Sequence, residues 1–328
     1  MNILAKRHLA KRHGVEKLSP EKREWLQTLK KAGDTQGYYQ QLGDNHSAVF
    51  LEAGSRLLVT FESSDQILNE RENKRPLGFE VIDGTGCSHL CILAHSANWF
   101  RNQAIYSFFD DLLDEGFFDD FDQVVFYGAG MGGYAAAAFS VASPGSTVIA
   151  IQPQATLDPR VTEWDTRFLS MRRTCFTDRY GYAPDMLEAC NRAFVLYDPE
   201  EEMDAMHAAL FTRQNVSKIR CRLLGRYIEN HLEEMDILSP LIQQALKGNL
   251  RENDIHRLYR ARRNYPPYLR RLMAQLEDND RLEMAQRLCK FVKSRMDGPC
   301  FEGTVKRVEQ QLAQRIRRRQ ADREKYQK

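Results

Sequence analysis

Short runs of apolar residues alternate with longer helical segments between residues 48 and 224 of the 328-residue chain. Several of these runs are apolar at nearly every position, which is typical of strands buried on both faces of a parallel sheet. The alternation predicts an α/β fold, with a mostly parallel sheet covered by helices on both faces. The predicted strands are residues 48–53, 56–63, 89–95, 123–128, 146–152, 193–198 and 218–224.

The N-terminal segment has a helical pattern. Ser19 followed by Pro20 predicts an N-cap with proline in the first helical turn. Trp25, Leu26 and Leu29 then follow roughly along one stripe of the helix. This segment is therefore expected to form a helix ahead of the sheet.

The strand pattern stops after residue 250. Apolar residues follow helical spacing in three successive segments, residues 269–276, 282–292 and 305–316. We therefore expect an all-helical C-terminal region behind the α/β domain. The three expected regions are a basic helical arm over 1–45, an α/β domain over 46–250 and a basic helical region over 251–328.

The net charge of +2 hides a division of the chain. Residues 1–31 carry nine Lys and Arg against three Asp and Glu, and residues 251–328 carry twenty-one against eleven, whereas the segment between them is acidic. Opposite charges of this kind favour docking of the basic ends on the acidic centre of this chain or of a second copy. Because no DNA- or RNA-binding motif accompanies the basic residues, we expect no nucleic-acid partner. The partner is expected to be a small molecule or a protein, with homo-oligomerisation through the helical C-terminal region.

The composition predicts a cytoplasmic protein. No apolar run reaches the length of a membrane-spanning helix, and the N-terminus has Lys, Arg and His where a signal peptide needs apolar residues. The seven cysteines are odd in number and scattered, as expected for reduced thiols. His8 and His13 are five residues apart, which places them on different sides of a helix and predicts no shared metal.

A second group of metal-ligand residues lies in one predicted strand. Cys87, His89, Cys91 and His95 alternate along it. Residues i, i+2 and i+4 of a strand share one face at intervals of about 6.6 Å, so the outer pair of such a group is too far apart for one ligand shell. The sequence therefore predicts buried thiols and no metal site.

A glycine-rich turn follows the strand at 123–128 and precedes an alanine-rich helix. In one interpretation Gly128, Gly130 and Gly133 form the G-x-G-x-x-G of a dinucleotide or flavin site. In the other, Gly128, Gly130 and Gly132 form the G-x-S-x-G nucleophile elbow, with glycine in place of the central serine. Both place the turn at the N-terminus of a helix.

The dinucleotide interpretation lacks its acidic partner. A ribose-binding Asp or Glu is expected about 20 residues on, at the end of the next strand, where this chain has Gln152. Predicted strands also precede the turn, whereas the fingerprint usually opens its domain. The cofactor-binding role of Gly128, Gly130 and Gly133 is kept as an alternative, and otherwise no cofactor is expected.

The order of strands favours the elbow. The segment FYGAGMGGYAAAAF is similar to the FYGxSMGGYAA elbow of serine esterases, and residues 48 to about 247 resemble the α/β-hydrolase fold. Through QPQATLDP at 152–159 and RYGYAPDM at 179–186 the chain also resembles a bacterial family of this fold. Some members of that family carry a phosphoadenosine phosphosulfate reductase label, but the chain has neither the SGGxDS-type loop nor the ECGxH-type cysteine that such reductases need.

The resemblance implies where a triad would lie. Gly130 occupies the nucleophile position and provides no hydroxyl. Asp198 ends the strand that commonly carries the acid, although Asp followed by proline is equally an ordinary turn. Arg226 lies where we would place the histidine, and His231 follows five residues later. Arginine stays protonated and is no general base at neutral pH.

The oxyanion-binding part of such a site can persist without a nucleophile. The resemblance implies the backbone N–H of Met131 and an amide from the loop after the 89–95 strand, where His95 and Ser96 lie. Two amides at a helix N-terminus bind an anion or a carbonyl. A further alternative is a relocated nucleophile at Ser96 with His95 as its base. This alternative is disfavoured because the side chains of adjacent residues at the end of a strand point to opposite sides. The sequence thus predicts a pseudoenzyme with a binding or scaffold role, as in cholinesterase-like adhesion proteins; an active hydrolase is the alternative.

Overall fold

The structure is a computed structural model that describes residues 19–295 and 302–326. It contains two compact units, Met1–Arg257 and Leu258–Lys328. His8 and His13 lie outside the described residues.

The first unit is built on one sheet of eight strands in its described part. In chain order the strands are β1 (Gly37–Leu42), β2 (His46–Leu51), β3 (Arg56–Ser63), β4 (Ser88–Ala94), β5 (Gln123–Ala129), β6 (Thr147–Ile151), β7 (Arg192–Tyr197) and β8 (Val216–Arg220). Their spatial order is β1-β2-β4-β3-β5-β6-β7-β8. β2 runs antiparallel to both of its neighbours, and the pairs from β4 to β8 are parallel. This is the strand arrangement of the α/β-hydrolase fold, so the expected fold class is confirmed.

Helices cover both faces of the sheet. In the first unit they are α1 (Pro20–Gln36), α2 (Ser64–Glu70), α3 (Leu77–Ile82), α4 (Gln103–Asp114), α5 (Met131–Phe139), α6 (Pro159–Thr162), α7 (Ala183–Met186), α8 (Glu202–Leu210), α9 (Ile228–Glu234), α10 (Leu238–Leu246) and α11 (Glu252–Leu258), whose last residue belongs to the second unit. The predicted cap of α1 is present, because the Ser19 hydroxyl accepts the backbone N–H of Lys22.

β1 is absent from the strands that the sequence pattern predicts. Its sequence, GYYQQL, is half-buried at five of six positions, because it is an edge strand that pairs only with β2. Such a strand lacks the continuous apolar run by which the others are found. The turn signal Gly43-Asp44-Asn45 between it and the next apolar run was the available clue.

The aromatic core on one face fixes the helix that follows β5. Phe61 of β3 stacks on Phe109 of α4 and on Phe139 of α5, with ring centroids 6.0 and 5.6 Å apart. Phe109 and Phe139 also stack on each other at 4.6 Å. All three side chains are almost fully buried. α5, which follows the glycine-rich turn, is therefore packed against β3 and α4 through its last residue.

The second unit is helical, as predicted. After the end of α11 it contains α12 (Pro266–Asp278), α13 (Leu282–Arg295) and α14 (Glu302–Tyr326). The predicted stripe on α13 is buried at Leu282, Ala285, Cys289 and Val292. Among the described residues, no helix in either unit is both long and apolar enough to cross a bilayer.

Candidate functional site

The turn between β5 and α5, for which the sequence predicts a nucleophile elbow, has a positive φ at its centre. Gly130, its central residue, has φ 56° and ψ −120°, a conformation that strains any residue other than glycine. The Gly130 N–H is held by the carbonyl of Ile151 at 2.8 Å. A Cβ at Gly130 would meet no atom within 4 Å. The position therefore has room for a side chain, and only the backbone conformation favours glycine.

The neighbouring glycines are required for a different reason. A Cβ at Gly128 would lie 2.2 Å from the carbonyl oxygen of Gly132, and one at Gly132 would lie 2.2 Å from that of Phe61. At Gly133 the closest atom would be the Ile151 oxygen, at 2.9 Å. These three glycines let the chain turn back and let α5 pack against the strands. Close packing of this kind serves an elbow and a dinucleotide fingerprint equally.

The carboxylate of Asp198 is occupied by backbone groups. Its Oδ2 accepts the N–H of Gly225 at 2.7 Å, and its Oδ1 accepts that of Glu200 at 3.0 Å. Burial raises the pKa of this carboxyl, partly offset by these hydrogen bonds. Asp198 thus holds the loop after β8, the loop in which hydrolases carry their histidine.

Arg226 and His231 lie in the expected segment but face other groups. The Arg226 side chain is two-thirds exposed and donates to Glu201 at 3.1 Å. His231 is in α9, where its Nδ1 lies 4.0 Å from a carboxylate oxygen of Glu234. Glu229 bonds through its two oxygens to the side chains of Gln66 and Tyr127. Residues 229 and 231 point about 200° apart on a helix, so His231 faces away from that contact.

Gln152 joins these parts of the site. It follows Ile151, the residue that holds Gly130, and has φ 47°. Its side-chain amide donates to the carbonyl of Gly225 at 3.2 Å and to Asp204 at 2.6 Å, and its Oε1 accepts the N–H of Ile228 at 3.2 Å. Hydrogen bonds therefore connect the elbow, the end of β6 and the loop that Asp198 holds. The same bonds leave Gln152 engaged within the chain, where a dinucleotide site would present an acid to ribose.

Two segments approach the turn from the neighbouring strands. The loop that contains His95 and Ser96 follows β4, and further along it Trp99 donates to Gln154 at 2.8 Å and Arg101 donates to Tyr134 of α5 at 3.3 Å. The neighbour of β5 is β3, and β4 lies one strand further away. The segment that leaves the sheet beside the elbow is therefore Glu62–Ser63–Ser64, where α2 begins. Met131 keeps its expected place as the first residue of α5, where an N–H has no acceptor within the helix.

The side chains of His95 and Ser96 contact different groups. The Nδ1 of buried His95 lies 3.4 Å from the hydroxyl of Ser64. Burial, together with nearby Lys22 and His46, lowers the pKa of His95 to about 4. Ser96 is exposed, and its hydroxyl accepts the Asn98 amide at 3.3 Å. The Ser64 hydroxyl is fully buried and donates to Ala94, so this serine–histidine contact has no access to a substrate.

Sequence reasoning missed a buried polar network between the segment after β6 and α8. The Nε2 of His207 lies 3.0 Å from Asp165, and its Nδ1 accepts the N–H of Ala155 at 3.2 Å. Arg167 bridges Asp165 and Asp204, at 2.8 and 2.6 Å. The histidine–aspartate pair resembles part of a triad, but both ring nitrogens are engaged, so the ring has no lone pair for a substrate proton. The network is structural, and its members are too dispersed in sequence to form a motif.

The chain was compared with known proteins. No protein-family model matches the sequence, and no curated protein matches it. Solved structures do match: an esterase of Pyrobaculum calidifontis is 14% identical with a TM-score of 0.43, covering 69% of this chain and 90% of that one. An esterase of Pyrococcus furiosus is 13% identical with a TM-score of 0.39, covering 62% and 86%. The capsule O-acetyltransferase of Neisseria meningitidis serogroup A is 10% identical with a TM-score of 0.38, covering 60% and 92%. Likenesses at this level concern the fold alone.

Proposed function

We propose that this chain is a binding or scaffold protein that keeps the backbone of a hydrolase elbow and performs no serine hydrolysis. The observation that carries the proposal is the state of Gly130, which has the strained conformation of a nucleophile and open space around it but no hydroxyl. A serine hydrolase needs that hydroxyl together with a base and an orienting acid. The turn is kept here without its nucleophile.

The other two triad positions support the same proposal. Asp198 accepts backbone N–H groups, and Arg226 is paired with Glu201 at the surface. A guanidinium does not accept a proton near neutral pH. The lack of a hydroxyl at Gly130 is therefore accompanied by a guanidinium at position 226, and His231, the histidine further along, lies in α9 beside Glu234.

The backbone N–H groups of such a site do not depend on the nucleophile, and we propose that they still bind a ligand. The N–H of Met131 opens α5, and the end of β3 lies beside it. Backbone donors in this arrangement suit a carbonyl or a small anion. A small molecule with such a group, or a protein presenting one, is the proposed partner. We also propose that two copies of the chain associate through the helical C-terminal region.

Covalent labelling tests the loss of the nucleophile. We expect no fluorophosphonate labelling of the wild type, with an active serine esterase as positive control. Gly130→Ser is expected to fold, at a cost of about 1 kcal/mol for the positive φ, and to stay unlabelled because no base activates it. Arg226→His in the same chain places an imidazole beside the loop that Asp198 holds, and we expect labelling to appear in this double variant.

Two results would contradict the proposal. Labelling of any serine in the wild type would show an active nucleophile elsewhere, and mapping of the modified peptide would identify it, Ser96 being the first position to check. A flavin absorption band in the purified protein would instead favour the dinucleotide role of Gly128, Gly130 and Gly133. The engagement of Gln152 with Asp204 and Gly225 leads us to expect no such band.

A further inference from the structure

A group of metal-ligating side chains lies on the face of the sheet opposite Phe61, apart from the elbow. Glu62 of β3 and His89 and Cys91 of β4 each contribute a ligand atom, and these atoms all lie within 4.8 Å of one another. His89 and Cys91 are fully buried. The proposed function uses none of these three side chains, although Glu62 lies at the end of β3.

The neighbouring strand β3 adds a third ligand, Glu62, to the two ligands of β4. Along β4, His89 and Cys91 point to the same face, and the parallel register with β3 brings Thr60 opposite Cys91. The Cys91 Sγ lies 3.8 Å from Glu62 Oε1, and the Thr60 hydroxyl lies 2.8 Å from that oxygen and 2.9 Å from His89 Nε2. Cys87 and His95, the other two members of the group noted in the sequence, have different partners. The Cys87 thiol contacts the carbonyl oxygen of Thr85, and the His95 ring contacts the hydroxyl of Ser64.

We propose that Glu62, His89 and Cys91 bind one divalent ion of the zinc type, with the Thr60 hydroxyl as the nearest further oxygen. In tetrahedral zinc sites with bonds of about 2.0 to 2.3 Å, ligand atoms lie roughly 3.3 to 3.8 Å apart. The observed sulfur–oxygen distance of 3.8 Å is at that spacing. One thiolate, one imidazole and one carboxylate form a donor set that favours zinc over magnesium or calcium.

The surroundings hold these ligands in place. The carboxylate of Glu62 accepts the N–H groups of Leu77 and Gly78 at 2.7 and 3.3 Å, at the start of α3. A Cβ at Gly78 would lie 2.0 Å from His89 Nε2, so only glycine leaves room for the ring.

The charges balance when the ion enters. The thiol of Cys91 loses its proton to solvent, a sulfur–metal bond forms, and Glu62 contributes the second negative charge. Two negative ligands neutralise a divalent ion, which burial in a low-dielectric interior requires. Arg71, whose charge acts on Glu62, is paired with Glu233 at 3.2 Å. Because the ligands are enclosed, the ion is expected to enter during folding.

Metal analysis of the full-length protein tests the site. After expression in zinc-supplemented medium and gel filtration, we expect about one zinc per chain in the wild type. Cys175→Ala removes an exposed thiol and is expected to retain the metal, whereas Cys91→Ala is expected to lose it. Glu62→Gln, which keeps a side-chain oxygen for the α3 amides, is expected to bind at least tenfold more weakly in a chelator titration.

Cobalt provides a measurement that needs no variant to fold. Full-length protein unfolded with a chelator and refolded with Co²⁺ is expected to show the thiolate-to-cobalt charge-transfer band and the visible bands of tetrahedral cobalt. The same spectrum is expected for Cys175→Ala. Folded wild type that contains no stoichiometric zinc and shows no thiolate band after refolding with cobalt would overturn the proposal. The result would not bear on the elbow, since fluorophosphonate labelling is read independently.

Discussion

Alanine at Gly132 is expected to prevent stable folding, whereas alanine at Gly130 is expected to be tolerated. The Cβ at Gly132 would lie 2.2 Å from the backbone oxygen of Phe61, and neither the strand nor α5 can move away without disturbing the aromatic core. We expect a loss of more than about 3 kcal/mol. At Gly130 the only cost is the positive φ, about 1 to 2 kcal/mol.

Urea unfolding of the two variants beside the wild type measures this difference. Both substitutions add one methyl group within the same turn, so each is the control for the other. Equal losses of stability would show that Gly130 is required by packing after all. The absence of its hydroxyl would then be a consequence of the fold, and the dinucleotide interpretation would gain support.

Asp165→Ala is expected to destabilise the first unit by about 3 to 5 kcal/mol, because it breaks a buried pair from one side. The substitution leaves the fully buried His207 without its acceptor and Arg167 with one carboxylate fewer. Asp185→Ala is the matched control, since it removes an aspartate that is exposed and paired with the half-exposed Arg213. A surface pair of that kind contributes at most about 1 kcal/mol. Similar losses in the two variants would contradict a structural role for the network.

The contribution of Asp165 has a predictable pH dependence. Burial alone would raise its pKa, but hydrogen bonds from His207 and Arg167 outweigh burial and hold the pKa below the usual value. A carboxyl with a lowered folded pKa stabilises the protein above its unfolded pKa of about 3.9 and loses this effect as the pH falls further. The stability difference between wild type and Asp165→Ala, followed by urea unfolding, is therefore expected to stay constant from neutral pH to about pH 5 and to shrink below about pH 4.

The sequence predicts the parallel core of this fold well, because buried strands produce continuous apolar runs. It predicts the edge poorly, because β1 is half-buried at five of its six positions and lacks a continuous apolar run. The neighbour of β5 is β3, which ends at Ser63, and a series of apolar runs along the chain does not reveal this order of strands.

Side-chain partners across the sheet are the other part that sequence does not provide. The spacing of Cys87, His89, Cys91 and His95 predicts no metal site, but this prediction considers the ligands of one strand alone. Glu62 enters from the adjacent strand through the parallel register, which no local pattern specifies. The pairing of His207 with Asp165, 42 residues away, is equally invisible in the sequence.

Asp198 illustrates how the fold alone can require a carboxylate at a proposed triad position. Its carboxylate is tied to the amides of Gly225 and Glu200, so replacing it would release a loop whether or not any substrate is ever cleaved. A nucleophile and a base do not stabilise the fold in a comparable way, so a chain that lacks both can still fold. An aspartate at this position in a sequence of this fold therefore indicates only that the loop is held in place. Catalysis has to be inferred from the nucleophile and the base, which the fold does not require.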